Sequence, residues 1–190
     1  MKIETFALER WMTRHELNVK YDIAESGVLP LKVNDLLAFE APEDRPAVLD
    51  RLLNLPLGYN EAVGTHELRS ALAATYENCD ADNILVTTGA IEANFLVFNT
   101  LLNAGDHVVA VYPAYQQLNS VPRAIGCDVS LWNVEPSNQF RYDVEALKKL
   151  VKPNTRLIVM NTPHNPSGAM LSAEEMRYIY DLAESVNAMI

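Results

Sequence analysis

Eight consecutive residues late in the chain, Asn161-Thr162-Pro163-His164-Asn165-Pro166-Ser167-Gly168, put two side-chain amides among two prolines. Proline fixes φ, removes a donor and pushes the residue before it to extended geometry, so this stretch suits neither helix nor sheet. It makes a stiff backbone closed by a glycine, and it holds the amide of Asn165 in one place as a donor to a ligand oxygen. Upstream, Gly89-Ala90-Ile91 opens a helical pattern just after an apolar run. The first amides of a helix are unpaired and its dipole adds partial positive charge, which suits a phosphate. Tyr115 follows another apolar run and offers an aromatic platform. A phosphate cradle, a platform and an amide donor suit one flat anionic ligand. No G-x-x-x-x-G-K-[ST] and no G-x-G-x-x-G accompanies them, which disfavours a nucleotide site. No metal site is assigned.

The elements that carry these residues alternate. Ile84-Leu85-Val86-Thr87-Thr88 reads as a buried strand and the following helix runs to about Leu102. His107 to Val111 is the next strand, Cys127 to Val134 a third, and Arg156 to Met160 a fourth that feeds the amide-rich octet. Asp143 caps a helix to Leu150, and Ser172-Ala173-Glu174-Glu175 is a capping box that starts another. Earlier, Glu4 to Glu16, Val33 to Phe39 and Pro46 to Leu53 read as helices, Glu25 to Val28 as a turn, and Thr65 as the N-cap of a helix through Leu72. Strands alternating with helices predict an α/β fold, a three-layer, mainly parallel sheet with an N-terminal helical segment. Ligands of such sheets sit beyond the carboxyl ends of the strands, where Gly89, Tyr115 and Asn165 are all expected.

The octet resembles the N-x-P-x-N-P-[ST]-G signature of fold-type I pyridoxal-phosphate-dependent aminotransferases of classes I and II. Three further blocks follow the family's order. Thr87 to Ala93 resembles T-x-G-[AS]-x-x-A, Pro113-Ala114-Tyr115 resembles P-x-Y, and Tyr59 to Arg69 resembles Y-x4-G-x3-LR. The resemblance implies pyridoxal 5'-phosphate as cofactor. Gly89, Ala90 and Ile91 would bind its phosphate through backbone amides, Tyr115 would lie against its ring, and Asn165 would donate to its phenolic oxygen. It also implies a homodimer in which Tyr59 reaches the phosphate of the neighbouring subunit. Gly27, or Val28 beside it, would lie near the substrate carboxylate. On this resemblance residues 1–55 belong to the small domain and interface, and residues 56–190 to the N-terminal part of the large cofactor-binding domain. The implied activity is amino transfer between amino acids and 2-oxo acids.

The family's Schiff-base lysine, the Asp that pairs with the pyridinium nitrogen and the C-terminal arginine all lie downstream of the octet. None of Lys2, Lys20, Lys32, Lys148, Lys149 and Lys152 stands at a matching position. The expectation is therefore an N-terminal portion, truncated and inactive alone, with no catalytic residue of its own. Rival readings are an eliminating lyase or amino-acid cyclase on the same scaffold, since the Trp11-containing leader and Ala24-Glu25-Ser26-Gly27 somewhat resemble arginine-derived cyclases, or a non-catalytic dimerisation or regulatory module.

Bulk properties are those of an ordinary soluble globular protein. Of 190 residues, 49% are hydrophobic and 21% charged, enough for a core. A net charge of −10 argues against nucleic-acid binding. Cys79 and Cys127 make no disulfide framework, which predicts a reducing cytoplasm. No apolar run approaches the roughly 20 residues that span a bilayer.

Overall fold

The computed structural model describes all 190 residues. Helices α1 (Ala7–His15), α2 (Val33–Leu37), α3 (Arg45–Leu53), α4 (His66–Ala73) and α5 (Gly89–Leu101) precede the first strand, β1 (His107–Tyr112). Helix α6 (Gln117–Ile125), strand β2 (Asp128–Asn133), helix α7 (Val144–Leu150), strand β3 (Thr155–Val159) and helix α8 (Ala173–Ser185) follow. The chain packs as two units, residues 1–26 with 88–190, and residues 27–87.

The larger unit is built on a parallel sheet in the order β2-β1-β3. Strand β1 is central, and its near-continuous apolar run is what a strand covered on both faces requires. Val108, Val109, Ala110 and Val111 are fully buried. The connections β1-α6-β2 and β2-α7-β3 leave in opposite directions across β1, so the right-handed crossover rule places α6 and α7 on opposite faces. That is the three-layer α/β arrangement expected. The core also holds Phe98, Trp132, Leu147, Ile158 and Ile179, each contributing about 1.5–3 kcal/mol by burial. Trp132 packs against Tyr142 at 4.9 Å between ring centres and donates its indole N–H to Asp143 O at 2.9 Å. Helix α8 starts at the expected capping box, Ser172 with Glu175. Beyond it, Met189 pairs with Leu157 in a single parallel bridge on the outer edge of β3.

In the smaller unit, Thr65 caps α4 by accepting from Leu68 N at 3.2 Å. Arg69 is buried there. It donates to the carbonyls of Gly64 and Ala81 and faces Glu61 and Asp82 at 3.5 Å each. Gly64 has φ +97°, and a Cβ there would stand 2.5 Å from Val86 Cγ2, so no other residue fits without a shift.

One predicted strand is corrected. Residues 84–88 are not part of the sheet. Ile84 has extended dihedrals, but its neighbours form no ladder, Leu85 is 57% exposed, and Val86 N to Val63 O is the one backbone bond made by a Val86 amide. β-branched residues favour extended backbone, yet a strand also needs a partner alongside. Helix α1 is also shorter than the predicted Glu4–Glu16, and α6 lies where the sequence reading placed no element.

Candidate functional site

The loops leaving β1 and β3 are tied together by His164. Its ring is buried, and Nε2 lies 2.7 Å from Pro113 O. A carbonyl can only accept, so Nε2 carries the hydrogen and Nδ1 faces the Ser167 hydroxyl at 2.7 Å. The turn is closed by Gly168 N to His164 O at 2.6 Å and His164 N to Ala169 O at 2.8 Å. Tyr142 stands edge-on to the His164 ring, donates its hydroxyl to Asn161 O, and has its phenol pushed up to about 12 by burial. Asn161 Oδ1 is buried without a partner in the chain. Asn165 itself is exposed, and its Nδ2 donates to Ser26 Oγ at 3.1 Å, leaving a second amide hydrogen on the same nitrogen.

Tyr115 sits two residues past Pro113, in the loop after β1, and is 40% exposed. Its ring meets Phe6 edge-on at 6.1 Å. Partial burial first, and then the Glu9 carboxylate, push its phenol above the ordinary tyrosine value. A cleft of about 390 Å³ opens beside it, lined among others by Phe6, Glu9, Tyr112, Gln116 and Arg123.

Gly89 begins α5 with φ +77°, the left-handed region that favours glycine. A Cβ there would meet no atom within 4 Å, so backbone geometry rather than crowding selects the residue. The Glu92 carboxylate accepts from Thr88 N at this helix start. Gln117 joins α5 to the loop after β1. It is buried, donates to Ile91 O through Nε2, and accepts from Asn94 Nδ2 at 3.2 Å. The first turn of α5 is thus bonded to a residue two places from Tyr115, and the Asn165 loop to a residue two places on the other side.

Two side-chain bonds therefore link the neighbourhoods of three sequence-predicted stretches: Gln117 to Ile91 joins the start of α5 to the loop of Tyr115, and His164 to Pro113 joins that loop to the loop of Asn165. The expectation that each follows a sheet strand holds for Tyr115 and Asn165; Gly89 follows the extended segment outside the sheet. Gly27 and Tyr59 belong to the smaller unit, where both are exposed. Lys152 is far along the strands, paired with Asp128 at 2.7 Å at the amino end of β2, and Lys20 lies over the Tyr21 ring at 5.3 Å. Gln117, His164 and Ser26 were not singled out as site residues from sequence. His164 carried a signal in its place inside the octet and Ser26 in the turn beside Gly27, whereas Gln117 carried none.

The donor set fits a flat ring bearing a phosphate. It offers amides at the start of a 13-residue helix, an accessible phenol ring and a side-chain amide with a hydrogen to spare. No helix is long and apolar enough to cross a membrane.

The profile of the family described as aminotransferase class I and II matches residues 26–190. Capreomycidine synthase of Streptomyces vinaceus is 32% identical over 183 residues, 96% of this chain and 46% of that protein. An aspartate aminotransferase of Pyrococcus horikoshii is 32% identical over 137 residues, 70% of this chain and 35% of that protein. Among solved structures, a PLP-dependent aminotransferase from Streptococcus suis superposes with a TM-score of 0.90 at 33% identity, over 100% of this chain and 50% of that one. The chain spans about half, or less, of the length of these relatives.

Proposed function

Because the chain belongs to the class I and II aminotransferase family, we propose that it contributes the phosphate, ring and amide contacts of a pyridoxal 5'-phosphate site in a transaminase of amino acids and 2-oxo acids. The observation that supports this is the linkage of the first turn of α5 and the loop after β3 to the loop after β1, through Gln117 and His164 on either side of Tyr115. In this reading the amides of Gly89, Ala90 and Ile91 bind the phosphate. The Tyr115 ring orients the cofactor by stacking, worth on the order of 1 kcal/mol. Asn165 donates its spare N–H to the ring oxygen, which stabilises negative charge there. When bound, the cofactor supplies an electron sink for charge developing at the amino-bearing carbon. Gly27 lies near the substrate carboxylate, Tyr59 serves the site of a second subunit in a cytoplasmic homodimer, residues 1–55 join the small domain and interface, and residues 56–190 join the large domain.

A cyclase is the second reading, and the capreomycidine synthase relative favours it, since that likeness runs over 96% of the chain. Supplying the complete protein with pyridoxal phosphate, a panel of amino acids and 2-oxoglutarate separates the two. A transaminase forms glutamate; a cyclase consumes the amino acid without forming it.

A further inference from the structure

Helix α1 starts without a cap of its own, because its N-cap residue is Phe6, which has no acceptor. Its first amide is met instead by a side chain 109 residues away. Ala7 N donates to Gln116 Oε1 at 3.0 Å, and Gln116 Nε2 donates to Thr5 O at 3.1 Å. A primary amide has one acceptor and one donor end, so it can serve a backbone N–H and a backbone C=O two residues apart as a neighbouring peptide would. Between those two bonds sits Phe6, half-buried, with its ring edge-on to Tyr115. Such ring pairs contribute beyond their burial and fix relative orientation. The anchor is itself firm. Gln116 immediately precedes α6, and its neighbour Gln117 is buried and bonded to Ile91 and Asn94.

We infer that Gln116 is a clasp that seats the N-terminal strap, residues 4–9, so that Phe6 braces the Tyr115 ring, which makes Gln116 and Phe6 positioning residues for the cofactor. The bracing role rests on the pyridoxal phosphate reading; the clasp does not. The side-chain hydrogen bonds of Gln116 go to Ala7 and Thr5. Gln116 acts through the strap, and the strap acts through one aromatic contact. Loss of the clasp frees the strap first and the platform second.

The test pairs limited trypsin digestion with pyridoxal phosphate titration followed by absorbance. Digestion reads Arg10 and Arg14, both in α1, against Lys148 and Lys149 as an internal control. Gln116→Ala is expected to speed cleavage at Arg10 and Arg14 about fivefold, as loss of one helix cap would, with the control sites unchanged. It is also expected to weaken cofactor binding about threefold or more. Phe6→Leu should match that weakening, whereas Phe6→Tyr, which keeps the ring, should restore the wild-type constant. Unchanged cleavage in Gln116→Ala overturns the clasp. Faster cleavage with an unchanged binding constant in both Gln116→Ala and Phe6→Leu overturns the brace. A wild-type chain that binds no pyridoxal phosphate overturns the proposed function and the brace together, while the digestion still decides the clasp.

Discussion

At the amino end of the sheet, His107 is fully buried between two hydroxyls, Thr155 Oγ1 at 2.8 Å from Nδ1 and Ser130 Oγ at 2.9 Å from Nε2. Burial, and then the Lys152 ammonium, hold its pKa below the ordinary 6.5, and the Asp128 carboxylate only partly offsets them. A histidine whose folded pKa is depressed binds fewer protons folded than unfolded between the two values. Stability is then complete above about pH 6.5 and falls as pH drops from there towards the folded pKa. Asp128 itself acts lower. Its hydrogen bond from Lys152 holds it below 3.8, so its contribution is lost only as pH falls through that lower value. Urea midpoints measured at pH 7.5 and 5.5 should therefore drop on acidification, and His107→Gln should flatten that slope. An equal slope in both proteins would remove His107 as its source.

Where loops join strands, the decisive side chain is His164, which bonds the exit of β3 to the exit of β1 while buried. His164→Ala removes the donor to Pro113 O and leaves a cavity against Tyr142. It should lower the unfolding free energy by about 2–4 kcal/mol in urea titration. Asn165 was legible in the sequence because prolines and amides at fixed spacing dictate a rigid loop whatever surrounds it, while His164 was legible only as part of that loop and not as its tie to β1. Gln117 was not legible. A glutamine reads as a surface residue until tertiary structure buries it between two helices. Helix α6 was hidden by its internal Pro122 and by buried Gln117, Asn119 and Ser120, which break the apolar periodicity that marks a helix. Residues 84–88 misled in the opposite way, since their composition fixed an extended backbone but not a neighbour to pair with.

On the scale of the whole molecule, α/β alternation and the parallel sheet followed from the chain's order of apolar runs, and the loops at the exits of β1 and β3 carry Tyr115 and Asn165. The division into residues 27–87 and the remainder had no sequence marker at Ser26 or Thr88. A phosphorylated ring is expected to bind at the α5 amides, Tyr115 and Asn165, whose segments Gln117 and His164 link. Equilibrium titration of the chain with pyridoxal 5'-phosphate measures this directly. Saturable binding by the wild type, weakened about tenfold each in Tyr115→Ala and Asn165→Ala with folding intact, is the predicted result. Equal affinity in all three proteins, or no binding in any, would contradict it.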